Sequence, residues 1–252
     1  MMQTPDLDHT SFAVHDGLAW ARRLRSELGA VPVCGEVLPE FRYLMLWVGT
    51  ADDGAMVELL DPVADGFLSR SLNVRGEGPH HVTFMVPDVR ASVAAVRELG
   101  FVVTGEEYDH SPWQEAFIVP EPAHRTVIQL AQTDRSYPTR SELLATQERD
   151  VATFPSTRGA TDPLWWANLW DTECRGAARL GATLLGSSDL ARSRELFVEA
   201  LGAQVEGGDD ALTFTWPSGS LEVRPAVRPG ITGMRLADGP ANAITIGKTA
   251  LG

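Results

Sequence analysis

The sequence predicts an α+β fold of paired β-α-β-β-β modules, with a third, partly truncated module at the C-terminus. Three observations predict it. A histidine-led strand pattern that runs into a capped helix occurs twice, from His9 to Asp16 and from His81 to Asp88. Three strand-like runs follow each helix. The same order returns in weaker form after Ala182.

The first strands carry the repeat most plainly. Asp8-His9-Thr10-Ser11-Phe12-Ala13-Val14-His15-Asp16 matches His80-His81-Val82-Thr83-Phe84-Met85-Val86-Pro87-Asp88. Small and apolar residues alternate in both, which is the signature of a strand. Each aspartate opens a helical pattern. Leu18, Ala21, Leu24 and Leu28 share one face before Gly29, and Val89, Val93, Val96 and Leu99 share one before Gly100. A carboxylate at the N-cap accepts from the free amides of the first turn, so helix capping accounts for Asp16 and Asp88. Glycine tolerates the left-handed conformation that ends a helix.

Strands are predicted at 31–36, 42–48 and 55–60 in the first copy, and at 102–106, 115–119 and 126–130 in the second. The third copy reads as a strand at 182–186, a cap at Asp189 and a helix face of Leu190, Phe197 and Leu201. Strands follow at 203–206, 211–216 and 220–224. A fourth copy begins at 231–238. The expected organisation is a paired metal-site domain at 1–132, a Trp-rich linker with short helices at 133–180, and a degenerate module at 181–252. Within the linker, 141–148 reads as a short helix and Asp162-Pro163 as a helix start. Trp165, Trp166 and Trp170 are read as packing the linker onto a domain, with a lid or dimer contact as the alternative.

With 252 residues the chain can bury more than one core, and an apolar fraction of 44% argues against disorder. A formal charge of −13 argues against nucleic acid or an anionic membrane surface as partner. Cys34 and Cys174 lack a CxxC partner, so neither a disulfide framework nor a zinc-thiolate site is expected, and a cytoplasmic protein fits. No basic stretch leads into an apolar run near Met1, and no apolar run is long enough to span a bilayer.

The chemistry is read from matched positions. His9 and His81 open the two first strands. Glu58, in Val57-Glu58-Leu59-Leu60, and Gln129, in Ile128-Gln129-Leu130, occupy fourth strands at matching distances to within one position. A polar side chain inside an apolar strand run is costly unless paired. Two imidazoles, a carboxylate and an amide oxygen converging on a divalent cation would satisfy one another. His80 competes with His81, but the register of the repeat favours His81. In the third copy Ala182 takes the histidine position and Glu222 the glutamate position, so no second metal site is expected there.

These residues resemble the vicinal oxygen chelate superfamily, which includes glyoxalase I, methylmalonyl-CoA epimerase, extradiol dioxygenases, and fosfomycin and bleomycin resistance proteins. Leu7-Asp8-His9, Val57-Glu58-Leu59-Leu60-Asp61-Pro62 and Arg75-Gly76-Glu77-Gly78-Pro79-His80-His81-Val82 resemble the methylmalonyl-CoA epimerase branch. The likeness covers residues 7 to 131. It implies metal ligands at His9, Glu58, His81 and Gln129, for cobalt, nickel, zinc, manganese or iron. It also implies a small-molecule substrate, and homodimers are compatible with it.

Two departures argue against methylmalonyl-CoA epimerisation itself. The family commonly has glutamate where Gln129 stands, and an amide takes no proton at neutral pH. Leu44-Met45-Leu46-Trp47 offers no carboxylate in the middle strands. The expected activity is a metal-dependent isomerase, epimerase or lyase that stabilises the enolate of a small carbonyl substrate. Glu58 and His110 are its candidate catalytic residues, with Glu107 and Asp109 as other bases. The alternatives are a binding or resistance protein without catalysis, and an iron dioxygenase built on two histidines and one carboxylate.

Overall fold

The computed structural model describes residues 4–109, 112–135, 139–145, 165–238 and 244–251. The first module is β1 (Asp6–Ala13), α1 (Gly17–Leu28), β2 (Val31–Val37), β3 (Phe41–Gly49) and β4 (Gly54–Pro62). After α2 (Phe67–Arg75), the second is β5 (Gly78–Met85), α3 (Val89–Glu98), β6 (Val103–Glu107), β7 (Trp113–Ile118) and β8 (Val127–Thr133). A short helix, α4 (Arg140–Ala145), and a 3-10 turn at Ala167–Asp171 follow. The third module is β9 (Arg179–Ser187), α5 (Leu190–Arg194) running into a π-helical turn at Glu195–Ala200, β10 (Gln204–Gly208), β11 (Ala211–Thr215) and β12 (Ser220–Pro225). The chain closes with β13 (Gly230–Asp238), β14 (Ile244–Ile246) and β15 (Thr249–Leu251).

Two sheets result, ordered β2-β3-β4-β1-β5-β8-β7-β6 and β10-β11-β12-β9-β13-β15-β14. The mixed α+β class and the βαβββ modules are therefore those expected. Within a module the first strand lies beside the fourth and parallel to it, as in β5 with β8 and β9 with β12. Parallel neighbours need a crossover, and the helix with its two following strands supplies one. No described helix is long and apolar enough to cross a membrane.

The predicted caps form as read. The side chains of Asp16, Asp88 and Asp189 accept from the amides of Ala19, Ala91 and Arg192 at 2.9, 3.0 and 3.0 Å. Gly29 ends α1 at φ 71°. Replacing Asp88 with alanine leaves the Ala91 amide to water. It is expected to cost about 1 kcal/mol in urea unfolding, with the folded circular dichroism spectrum unchanged.

Two features were not predicted. Helix α2 starts at Gly66, where Ser69 accepts from the Gly66 amide at 2.9 Å in place of a polar N-cap side chain. It buries only Leu68 and Leu72, so its apolar stripe is too thin to read. Strands β14 and β15 have 3 residues each, too few for alternation to register. The Asp162-Pro163 helix start lies outside the described residues. Of the helix read at 141–148, the described part is within α4.

The chain divides into two compact units. One comprises Met1–Thr10, His80–Asp134 and Ala182–Arg235. Its core is shared by the second and third modules. Val89, Val93 and Val96 of α3 join Phe84, Phe197, Phe214 and Trp216 in one apolar cluster. Phe84 meets Trp216 edge-on with centroids 4.8 Å apart, and the Trp216 indole donates to the Leu201 carbonyl at 2.8 Å.

The other unit comprises Ser11–Pro79, Arg135–Gly181 and Leu236–Gly252. Here Val33, Tyr43, Met45, Trp47, Leu60, Leu68 and Leu72 form a cluster. The linker tryptophans pack onto the first module. Trp166 is buried beside Gly35, where a Cβ would lie 2.9 Å from the indole nitrogen. The Arg42 guanidinium lies 4.1 Å from the Trp165 ring centroid while also pairing with buried Asp61. Arg25 lies 4.7 Å from the Trp170 centroid.

Candidate metal centre

Strand alternation turns His9 inward on β1 and His81 inward on β5, where both are buried. Their rings stand 5.9 Å apart, edge to face, with ligand nitrogens within 4.8 Å of one another. The register of β5 against β8 sets Thr83 opposite Gln129. Gln129 Oε1 then lies 3.2 Å from His81 Nε2, and the Thr83 hydroxyl donates to it at 2.7 Å. Thr83 Oγ1 is also 2.9 Å from His9 Nε2.

The outer contacts fix which atoms face inward. Asp8 Oδ2 lies 2.6 Å from His9 Nδ1, so Nδ1 carries the proton and Nε2 presents its lone pair. His80 and His81 meet through their Nδ1 atoms at 2.8 Å, which leaves His81 Nε2 on the Gln129 side. His80 is half-buried and holds the ring of the buried His81. Thr83 has one hydroxyl proton and two acceptors in reach. Two imidazole nitrogens and an amide oxygen thus gather at this point, and a donor set of that kind suits a divalent cation.

Glu58 is buried on β4, and the Ser11 hydroxyl donates to its Oε2 at 2.5 Å. Ser11 follows His9 by two positions on β1, so both side chains emerge on one face of that strand.

Glu107 and Asp109 do not join this group. Glu107 is exposed on β6, and exposed Asp109 pairs with Arg90 at 3.7 Å. His110 lies outside the described residues. Sequence reading missed Glu115 on β7. Its Oε2 accepts from Gln129 Nε2 at 2.7 Å and from the Trp113 indole at 2.8 Å. The signal was weak: in Trp113-Gln114-Glu115-Ala116, a strand glutamate reads as solvent-facing.

In the third module Glu222 meets Arg224 at 2.6 Å and also pairs with Arg235. Burial raises its pKa, but hydrogen bonds and charge from Arg235 and Arg224 outweigh that and leave it lowered. Two guanidinium groups thus occupy the carboxylate of this copy.

A second polar group is a core network. His124 Nε2 lies 3.0 Å from Ser193 Oγ, and its Nδ1 is 3.5 Å from Glu121. The order serine, imidazole, carboxylate suggests a nucleophile, but Ser193 is 0% and His124 1% exposed. No substrate reaches it. Burial, with Arg192 nearby, drives the His124 pKa down to about 4, so the ring is neutral at pH 7.

The fold and these side chains define a protein of paired βαβββ modules with a buried histidine and amide cluster between neighbouring first strands. A family model described as the Glyoxalase/Bleomycin resistance protein/Dioxygenase superfamily matches residues 3–117. Over this segment the resemblance to the vicinal oxygen chelate superfamily is borne out.

Among solved structures, a Streptomyces coelicolor methylmalonyl-CoA epimerase variant with 2-nitronate-propionyl-CoA is 28% identical. The match covers 52% of this chain and 98% of that one, with a TM-score of 0.46. A methylmalonyl-CoA epimerase with methylmalonyl-CoA and ammonium is 27% identical over 54% of this chain and 99% of that one, with a TM-score of 0.47. The Mycobacterium tuberculosis methylmalonyl-CoA epimerase is 21% identical over 58% and 97%, with a TM-score of 0.46. A search of curated proteins finds no match.

Proposed function

We propose that His9, Glu58, His81 and Gln129 hold one divalent cation, and that the protein is a metal-dependent isomerase, epimerase or lyase acting on a small carbonyl compound. The observation that carries this reading is that Thr83 Oγ1 lies against both His9 Nε2 and Gln129 Oε1, while His81 Nε2 lies against the same Gln129 oxygen. Glu58 supports it as a buried carboxylate at the position that the repeat matches to Gln129, and it would bring the negative charge that the neutral ligands lack.

Bound there, a divalent cation supplies Lewis-acid charge to the oxygens of a carbonyl substrate as the neighbouring carbon becomes acidic. The chain's own groups set up that event. Asp8 holds the tautomer of His9, His80 holds the ring of His81, and the buried strands keep bulk water from the ligands. Glu58 accepts the substrate proton at its carboxylate, and Ser11 steadies the Oε2 that it does not use.

Elemental analysis of dialysed protein, followed by deuterium incorporation from heavy water into candidate carbonyl compounds, tests the reading. One bound cation per chain and exchange at the carbon beside the carbonyl are expected. Glu58→Gln should lower exchange by at least about 100-fold. Near-wild-type exchange in that variant ends its assignment as base. Bound iron with oxygen uptake would instead indicate a dioxygenase, and a metal-free protein that retains ligand would indicate sequestration.

A further inference from the structure

We infer that Glu115 is a positioning residue of this centre: by accepting from the Gln129 amide nitrogen, it turns the Gln129 carbonyl oxygen toward His81 and the cation. The role rests on the metal reading above. The two ends of a primary amide have nearly the same shape, so packing alone does not choose between them. Their neighbours do. Glu115 Oε2 stands 2.7 Å from one end of Gln129, and an ionised carboxylate is acceptor-only. Only the amide nitrogen can face it without opposing lone pairs.

The other end is then the oxygen. It receives the Thr83 hydroxyl at 2.7 Å and lies 3.2 Å from His81 Nε2. With the amide reversed, an NH2 group with no lone pair for a cation would point inward, and the Glu115 carboxylate would confront a carbonyl oxygen. The Trp113 indole donates to the same Glu115 oxygen at 2.8 Å. That contact anchors the carboxylate, so the orientation passes from β7 to β8 through side chains rather than through backbone register. A neutral ligand with two possible faces thereby gains one defined face.

Cobalt(II) titration of the full-length protein and its variants, followed by calorimetry and visible absorption, tests this. Glu115→Ala is expected to weaken cobalt binding by about 10- to 100-fold and to change the absorption bands. Glu115→Gln can still offer a carbonyl oxygen to Gln129 and should retain most of the affinity. Thermal unfolding of both variants separates lost orientation from lost fold. Wild-type affinity in Glu115→Ala overturns the role, and so does a Glu115→Gln variant as weak as Glu115→Ala, which would assign the effect to charge.

A second readout does not depend on metal. The side-chain NH2 resonances of Gln129, assigned by their loss in Gln129→Met, should exchange slowly with water in the wild type and rapidly in Glu115→Ala. If the wild type binds no cobalt but shows this contrast, the metal reading fails and the orienting role stands. Equal exchange in the two proteins overturns the role.

Discussion

Replacing His81 with alanine is expected to abolish tight binding of divalent metal, lowering affinity by more than about 100-fold while the protein stays folded. The side chain is buried at 6% exposure, and its Nε2 lies beside the Gln129 oxygen. Alanine removes that nitrogen and releases the Gln129 carbonyl and Thr83 from the geometry they share. His80→Ala provides the contrast. His80 meets the outer nitrogen of the same ring, so its loss should cost about 10-fold, less than the loss of the ring itself. Calorimetric titration with zinc, with circular dichroism as a control for folding, checks both. Equal losses in the two variants would shift the assignment toward His80.

The second large effect is a loss of stability in acid that originates away from the metal centre. His124 keeps a folded pKa of about 4, against about 6.5 for an exposed imidazole, because burial penalises its charged form. Between these values the unfolded chain binds a proton that the folded chain refuses. The contribution is therefore fully present above pH 6.5, declines as pH falls through that window, and is exhausted below pH 4. Its size is about 3 kcal/mol.

Glu121 works in the opposite sense. Burial is the largest influence on it, and its folded pKa is raised, so acid relieves a strain there. The informative quantity is thus the difference between wild type and His124→Gln. Urea unfolding at pH 7.5 and pH 4.5 should show a steep loss in the wild type and a much shallower one in the variant. Parallel losses in both would place the acid sensitivity elsewhere.

Much of this architecture was legible because the chain says it more than once. Asp16, Asp88 and Asp189 each follow an alternating run and precede an apolar helical stripe, and each caps its helix. The two histidines were legible for the same reason: matched positions in a duplicated strand emerge on matched faces. What was not legible depends on direction and on neighbours distant in sequence. Glu115 sits in a strand whose polar residues read as solvated, and only the register of β7 against β8 turns it toward Gln129. His124 lies in a connection, where its burial comes from Ser193 and Phe197 of the third module. Helix α2 lacks a polar N-cap side chain and a broad apolar face, so only the glycine at its C-terminal end, Gly76 at φ 74°, marks it.

The two copies of the βαβββ unit wear different coats. Helix α1 meets the linker through Arg25 over the Trp170 ring, whereas α3 is sealed under the aromatic residues of the third module. A substitution on α3 is therefore judged by two modules at once, and one on α1 by a single short turn of chain.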